Sequence, residues 1–512
     1  MNSSVVHAVR LTRAWRGDLL ALAAGALTPL AFSPLGWWAL ALVTTALLLT
    51  LWLFSTPRRA GWRGFLYGLG LFSVGISWVF ISIHYHGHVG LGLSLLLTLA
   101  LILVMALFPM ALGWLLVRFL PQGFETRATR YKLLLAFPAG WLLMEWVRGW
   151  FMTGFPWLSL GYSQTESPLA GLAPLLGVFG VSWAVVFSAA LLVGLLFDKV
   201  GRVFYLAMLV SLWLMAWVAH TVEWTEPSGA PMEVVLLQGN IPQDLKWHPD
   251  VRRPTIDLYT GLTREHWGAD LIVWPETALP AFYYEAESFL RDLETEAREE
   301  ATDLLIGMLS FDQQRRRYYN TMMSLGSQRG TYHKNHLVPF TEYLPLKSLL
   351  GGLVSFMQVP MSDFSKGGPN QRPLQVAGQY AGISICFEDA FGEEIINALP
   401  EATLLVNVSN DAWFDDSWAP PQHLQMARMR ALETGRPLLR ATNTGITAIV
   451  DEKGRVIERA PQFEVASIRG TIQPRSGMTL YALTANWLVV LASFLLIGVS
   501  CWRLRRRDVS AP

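Results

Sequence analysis

Three stretches in the second half of this sequence carry an apolar run directly into a side chain capable of chemistry. Leu271-Ile272-Val273-Trp274 runs into Pro275 and Glu276. Pro275 has no amide hydrogen to continue a strand ladder, so Glu276 falls at a strand end, where sites of open α/β sheets form. Gly382-Ile383-Ser384-Ile385 runs in the same way into Cys386, Phe387, Glu388 and Asp389. Between them, His333-Lys334-Asn335-His336-Leu337-Val338-Pro339-Phe340 places a lysine, with Glu342 shortly after. A carboxylate, an ammonium and a thiol are groups that acid–base and nucleophilic catalysis draw on. Each also has an ordinary structural reading: a strand-end carboxylate caps a helix, a cysteine after a buried strand sits inert in a core, and a loop lysine is solvated.

The elements that must position these groups read as an α/β domain over 221–482. Short β-branched or apolar runs recur at 233–238, 271–274, 303–308, 380–386, 403–408 and 446–450. Helical stretches at 285–300 and 421–435 alternate with them. The second spaces Leu424, Ala427, Met429 and Leu432 among polar neighbours, which predicts an amphipathic helix. Strands buried on both faces between helices imply a layered α/β sandwich.

The rest of the chain is of another kind. Of 512 residues, 52% are hydrophobic and 15% charged, a balance that belongs to the membrane class. A net charge of +1 gives no reason to expect nucleic acid. Apolar runs long enough to cross roughly 30 Å of hydrocarbon fall near 17–34, 37–55, 64–83, 90–117, 132–150, 172–197 and 203–220, with a further one near 483–502. Pro29 and Pro34 mark the first as a broken or re-entrant element. The N-terminus does not read as a cleavable signal peptide. Arg10, Arg13 and Arg16 precede the first run, Arg58, Arg59 and Arg63 follow the second, and Arg118, Arg127, Arg130 and Lys132 follow the fourth. Lys199 and Arg202 separate the sixth and seventh, and Arg503, Arg505, Arg506 and Arg507 close the chain, whereas 84–89 and 151–171 hold no lysine or arginine. By the positive-inside rule both termini are cytoplasmic and the 221–482 domain lies on the far side. The only cysteines are Cys386 and Cys501, too few and too distant for a disulfide framework, which leaves Cys386 a lone thiol.

Glu276, Lys334 and Cys386, in that chain order and spacing, resemble the nitrilase (carbon-nitrogen hydrolase) superfamily, over roughly residues 232–474. Asn407-Val408-Ser409-Asn410-Asp411-Ala412-Trp413-Phe414, Arg436-Pro437-Leu438 and Asn443-Thr444-Gly445 add to the likeness. With the apolar runs, and with Gly154-Phe155-Pro156-Trp157, Gln238-Gly239-Asn240-Ile241-Pro242-Gln243, Lys246-Trp247 and His423 through Arg430, the whole chain resembles the apolipoprotein N-acyltransferases, which complete bacterial lipoprotein maturation. One departure is Phe387, where many members carry tyrosine.

The resemblance implies a polytopic α-helical membrane domain of about eight spans joined to an αββα sandwich, set in the bacterial inner membrane with the catalytic domain periplasmic. It implies that Cys386 attacks a phospholipid acyl ester to form a thioester, its thiolate fraction raised by its neighbours. Glu276 would be the proton acceptor. Lys334 would hold the oxyanion, helped by a backbone N–H beside Cys386. The acceptor would be the α-amino group of a diacylglyceryl-cysteine on an apolipoprotein, with no cofactor and no metal. Glu342 and Glu388 either orient Lys334 or Cys386 or are plain ion-pair partners. Trp247 lines a lipid passage or anchors at the interface, and roughly Leu344 to Phe364 forms a lid or a surface loop. Glu145 and Arg148, three apart on a predicted helix, can pair; they seat a head group or lock the bundle. His84, His86 and His88 lack further ligands for a metal and are assigned to head-group or loop contacts. Two rivals remain: a membrane-tethered amidase hydrolysing a small amide with the same three residues, and a transporter or receptor with a degenerate soluble domain. No Gly-x-Ser-x-Gly elbow or His-x4-Asp pair supports another acyl-transfer chemistry.

Overall fold

The structure is a computed structural model and describes residues 14–119, 130–339, 341–343 and 364–508. The chain divides into two compact units, one formed by residues 1–80, 90–222 and 484–512 and the other by 81–89 and 223–483.

The first unit is helical: α1 (Ala14–Leu27), α2 (Ala39–Leu53), α3 (Pro57–Gly75), α4 (Leu91–Phe119), α5 (Phe137–Trp150), α6 (Ala173–Phe197), α7 (Arg202–Thr221) and, at the chain end, a helix over Trp487–Asp508. Helix α1 gives way to a 3-10 turn at Thr28–Ala31, where Pro29 cannot supply a helical N–H. Small residues let the helices approach closely, the packing that suits a medium without a hydrophobic drive between helices. A Cβ on Gly64 of α3 would lie 2.2 Å from the Pro109 carbonyl oxygen of α4. The outer side of α4 is apolar and exposed, with Leu91, Leu95, Leu96, Leu99 and Leu107 unburied.

Among the described residues, three helices are long and apolar enough to cross a membrane: Leu91–Phe119, Pro168–Phe197 and Arg202–Thr221. Pro57–Gly75 and Val79–His86 make a fourth if counted as one span bent by 59°. Ala39–Leu53 and Trp487–Cys501 are apolar but shorter. At about 1.5 Å of rise per residue the 15 residues of Ala39–Leu53 fall below the roughly 30 Å of a bilayer core, whereas Trp487–Cys501 is the apolar part of a longer helix that runs to Asp508. The structure therefore establishes several apolar helices, fewer of full span length than the eight expected.

The second unit opens with β1 (Met232–Gln238), α8 (Pro249–Arg264), β2 (Leu271–Val273), β3 (Leu279–Phe282) and α9 (Tyr283–Glu299). Then come β4 (Asp303–Asp312), β5 (Arg317–Leu325), β6 (Gly330–His333), β7 (Leu374–Val376), β8 (Gln379–Ile385) and β9 (Leu404–Ser409). Helix α10 (Ala419–Thr434) is followed by β10 (Leu438–Thr442), β11 (Ala448–Val450), β12 (Val456–Arg459) and β13 (Ala466–Ile472). One sheet runs β13-β1-β2-β4-β5-β6, with β3 beside β4; the other runs β12-β11-β10-β9-β8-β7. The centre of each is parallel: β1, β2 and β4 in the first, β8, β9 and β10 in the second.

The sheets pack face to face. Val234, Leu236, Val273 and Leu305 from one meet Ile383, Ile385, Val406, Val408 and Leu439 from the other in a single buried cluster. Ile272, Leu304 and Ile306 turn outward onto Tyr259, Leu290 and Leu293 of α8 and α9, and Leu405 and Leu438 turn outward onto Leu424, Ala427 and Ala431 of α10. Four layers result, helix, sheet, sheet and helix.

Helix α10 is not amphipathic. His423, Gln425, Arg430, Glu433 and Thr434 are as buried as Leu424, Ala427 and Leu432. Its polar side turns onto buried charges rather than onto water.

Candidate active site

Strand β8 delivers Cys386 at the point where the chain turns from strand into a 3-10 helix over Cys386–Ala390. The turn is made with Cys386 at φ +55°, a left-handed conformation that costs a residue with a Cβ on the order of 1–3 kcal/mol and persists only where the surroundings enforce it. Part of that enforcement is visible. The Cys386 carbonyl oxygen accepts from Asn407 Nδ2 and from His423 Nε2, each at 3.3 Å.

Glu276 follows β2 and is 7% exposed. Its Oε1 accepts from Asn320 Nδ2 of β5 at 2.7 Å. Lys334 follows β6, 1% exposed, with its main-chain N–H donating to the Asn320 carbonyl at 2.8 Å. The Lys334 ammonium donates to Glu342 Oε1 at 2.9 Å and lies 3.8 Å from Glu276 Oε1. Glu342 in turn accepts from the Val338 main-chain N–H at 2.8 Å, so the lysine loop closes on the carboxylate that neutralises it. Burial alone would pull the ammonium down, but the carboxylates around it, Glu342 first, outweigh it and hold the pKa above its ordinary value. At neutral pH the site therefore contains a fixed cation.

Cys386 lies within electrostatic reach of both Glu276 and Lys334. Burial pushes its thiol up, the Glu276 charge pushes it further, and the pull of Lys334 does not compensate. This reverses the expectation that its neighbours favour the thiolate. A thiol held up in this way keeps its proton at rest, so a nucleophilic role would need that proton to leave as the new bond forms.

A second lysine backs the carboxylate. Lys246, 3% exposed, donates to the Glu276 carbonyl oxygen at 3.1 Å and to the Thr277 hydroxyl. Burial pulls its ammonium down to about 8, with Glu276 acting in the opposite sense. Trp247, next in sequence, is 37% exposed.

Glu388 joins the cysteine and lysine segments. One carboxylate oxygen accepts from the Asn335 and His336 main-chain N–H groups at 2.6 and 3.0 Å. The other accepts from the Ile385 N–H at 2.7 Å and the Tyr332 hydroxyl at 3.1 Å. Burial pushes this carboxyl up to about 7 against the pull of those amides. Four donors and no acceptor nonetheless surround it, which is the setting of a carboxylate. Phe387 packs edge-on against Phe391 at 5.1 Å and against His336 at 5.9 Å.

Beneath the cysteine lies a ring of charge to which sequence reasoning gave no role. His423 donates from Nδ1 to Asp411 Oδ1 at 3.0 Å and from Nε2 to Asp389 Oδ1 at 2.9 Å. Arg440 donates to the remaining oxygen of each, Asp389 Oδ2 and Asp411 Oδ2, both at 3.0 Å. All four side chains are essentially inaccessible. Burial and Arg440 pull the imidazole down, but the two aspartates prevail and hold it at about 9. Burial would raise Asp411, yet His423 and Arg440 keep it well below the usual carboxylate range. The one signal in the sequence was a histidine and two aspartates inside stretches already quoted for the resemblance.

The remaining candidates fall elsewhere. His86 contacts Asp415 at 3.1 Å and Asp244 at 3.5 Å, and His84 the Val89 carbonyl at 2.8 Å, which are loop contacts. Among the described residues no group of three or more His, Cys, Asp or Glu is arranged to hold a metal. Arg148 donates to the Phe155 carbonyl and the Ser159 hydroxyl, while Glu145 accepts from Trp141 Nε1 and the Leu160 N–H. The pair thus pins the 155–160 segment within the helical unit. The lid expected at roughly Leu344 to Phe364 lies, but for Phe364, outside the described residues.

Comparison with known proteins adds two matches along the chain. Residues 24–191 match the family described as apolipoprotein N-acyltransferase N-terminal domain, and residues 235–477 match carbon-nitrogen hydrolase. The chain is 46% identical to the apolipoprotein N-acyltransferase of Methylococcus capsulatus, covering 96% of this chain and 97% of that one. It is 45% identical to that of Nitrosomonas europaea over 94% of this chain and 95% of the relative. Among solved structures it resembles a carbon-nitrogen hydrolase from Helicobacter pylori, with 14% identity, a TM-score of 0.36, and coverage of 55% of this chain and 97% of the other.

Proposed function

The chain belongs to the apolipoprotein N-acyltransferase family, and from that premise we propose that it moves a fatty acyl chain from a membrane phospholipid to the α-amino group of an apolipoprotein's N-terminal diacylglyceryl-cysteine, through a thioester on Cys386. The observation that carries this reading is the buried Lys334 ammonium, 2.9 Å from Glu342 and 3.8 Å from Glu276, within electrostatic reach of a neutral thiol.

The steps follow from those groups. As the Cys386 sulfur bonds to the ester carbonyl carbon, Glu276 takes the thiol proton and the carbonyl oxygen becomes an oxyanion facing the Lys334 charge. Collapse breaks the acyl C–O bond; the departing glyceryl oxygen takes the proton from Glu276 and leaves as lysophospholipid. In the second half the amine attacks the thioester, Glu276 accepts a proton from nitrogen, and the C–S bond breaks. The sulfur recovers that proton, and the product is an amide. Lys334 serves both oxyanions with one preorganised charge, which in a water-poor site is the larger part of such catalysis. Glu342 keeps that charge in place, and Glu388 holds the lysine and cysteine segments in register.

For the helical unit we propose about eight crossings, both termini cytoplasmic, and the catalytic unit on the periplasmic side of a bacterial inner membrane. Its support is the alternation of lysine and arginine between successive loops. Short helices such as Ala39–Leu53 would then cross with help from adjoining turns.

The deciding experiment incubates purified protein with phosphatidylethanolamine and a synthetic diacylated lipopeptide. Triacylated peptide together with lysophospholipid supports the reading, and free fatty acid without triacylated product would favour a hydrolase. Replacing Cys386 with alanine should abolish the acyl adduct; its persistence would rule out the covalent intermediate.

A further inference from the structure

Lys246 takes no part in the steps above, yet it is 3% exposed, and burying an amine is costly unless its hydrogens are used. The loop that carries it follows β1 and is anchored on the strand ends of the other sheet. Asn443 accepts from the Ile241 N–H at 2.9 Å and donates to the Ile241 carbonyl at 2.7 Å. Asn410 donates to Gln243 Oε1 at 2.7 Å, and the Lys246 N–H closes a turn on the Pro242 carbonyl at 3.1 Å. From this fixed base the amine donates to the Glu276 carbonyl and to the Thr277 hydroxyl. Charged or neutral, it keeps at least two N–H groups, one for each acceptor.

Those two acceptors belong to one strained turn. Thr277 sits at φ +46°, where a β-branched side chain is an outlier that persists only if the surroundings enforce it. Beneath the turn is Gly307 of β4, where a Cβ would lie 2.2 Å from the Pro275 carbonyl oxygen and 2.9 Å from Glu276 Cα. The turn is thus seated on a glycine and clamped by the lysine. A flip of the Glu276–Thr277 peptide would relieve Thr277 but break both Lys246 bonds. It would also swing the Glu276 carboxylate from its place 2.7 Å from Asn320 Nδ2 and 3.8 Å from the Lys334 ammonium. We propose that Lys246 is a positioning residue: it holds Thr277 in its left-handed turn and so aims the Glu276 carboxylate at the thiol proton. This rests on the reading of Glu276 as the proton acceptor.

The test uses the full-length protein in detergent micelles and follows single-turnover lysophospholipid release against phosphatidylethanolamine concentration. The limiting rate reports proton removal and bond making, and the half-saturating concentration reports donor binding. Lys246→Met removes the N–H donors at similar volume. It should slow the limiting rate by roughly 100-fold, with half-saturation within about threefold of wild type. Lys246→Met/Thr277→Gly has no left-handed strain to relieve and should run at least about 5-fold faster than Lys246→Met. A single variant within about threefold of the wild-type rate, half-saturation rising in step with the lost rate, or a double variant no faster than the single would each overturn the proposal. Where Lys246→Met does not fold, the threonine variants decide. Thr277→Val and Thr277→Gly both discard the acceptor hydroxyl, but only valine stays branched at Cβ, so glycine should be faster by at least about 5-fold. Valine as fast as glycine refutes the proposal. A wild-type protein that releases no lysophospholipid, or a Glu276→Gln variant that releases it at the wild-type rate, would instead defeat the reading of the site on which this rests.

Discussion

Replacing Lys334 with methionine removes the ammonium and leaves two buried carboxylates facing one another's charge. The loss can be sized from the geometry. With an effective dielectric of about 20, ion pairs at 2.9 and 3.8 Å carry gross attractions of roughly 6 and 4 kcal/mol. Much of that was offset by the desolvation of the ammonium, and breaking a buried pair by deleting one partner nets a loss of about 3–5 kcal/mol. For a unit of this size, such a loss lowers the thermal midpoint by about 10 °C. Lys334→Met/Glu342→Gln removes one of the stranded charges as well and should recover about half of that shift. Its turnover should not recover. Without a cation at the oxyanion, lysophospholipid release stays down by at least roughly 100-fold in both variants. Thermal unfolding in detergent and single-turnover acylation, measured on the same samples, separate the two roles. A single variant as stable as wild type would refute the electrostatic account. A double variant that regained turnover along with stability would refute the oxyanion role.

Other expectations follow from the same site. Because the Cys386 thiol is pushed up by burial and by Glu276, its alkylation rate by iodoacetamide should keep climbing through pH 9; a plateau near neutrality would mean a preformed thiolate and remove the need for Glu276 as base. His423 is held at about 9, above its ordinary 6.5, so its stabilising contribution is complete below about pH 6.5 and fades as pH rises through about 9. The difference in unfolding free energy between wild type and His423→Gln should therefore shrink by about 3 kcal/mol from pH 6 to pH 10, and a constant difference would show the imidazole to be uncharged at neutrality. Phe387→Tyr should change turnover by less than about threefold, since the ring's edge-on packing is kept; a rise of 10-fold or more would reveal work for a hydroxyl. Cysteines placed at Glu166 and Lys199 in a Cys386→Ala/Cys501→Ser background should react oppositely with an impermeant maleimide, Glu166→Cys from outside intact spheroplasts and Lys199→Cys only after lysis. The reverse pattern would invert the proposed topology.

Much of this site was legible because reactive residues at the ends of apolar strands are conspicuous. Glu276 after Pro275 and Cys386 after Ile385 stand out for that reason, and the parallel strands carrying them were visible as continuous apolar runs. The strand Arg317–Leu325 was missed because it begins with a charge and buries Asn320 and Thr321 midway. Helix α10 was misread for a related physical reason. A polar residue in a helical pattern defaults to the solvent face, and only the fold shows His423, Arg430 and Glu433 directed into a charged interior. The state of the thiol was misjudged because nearness to a lysine says nothing about the burial and the carboxylate that outweigh it. The third expected span was drawn straight over 64–83, whereas the helices are bent by 59° at a break after Gly75.

The left-handed backbone at residue 386 also filters which atoms can occupy the nucleophile's place. At φ +55° a side chain branched at Cβ crowds its own main chain. Serine fits the turn with an unbranched oxygen, whereas threonine would bring a methyl group that the conformation penalises. Of the two small hydroxyl side chains, serine would add no strain beyond what Cys386 already bears, so drift or selection toward a hydroxyl nucleophile in this scaffold leads through serine rather than threonine.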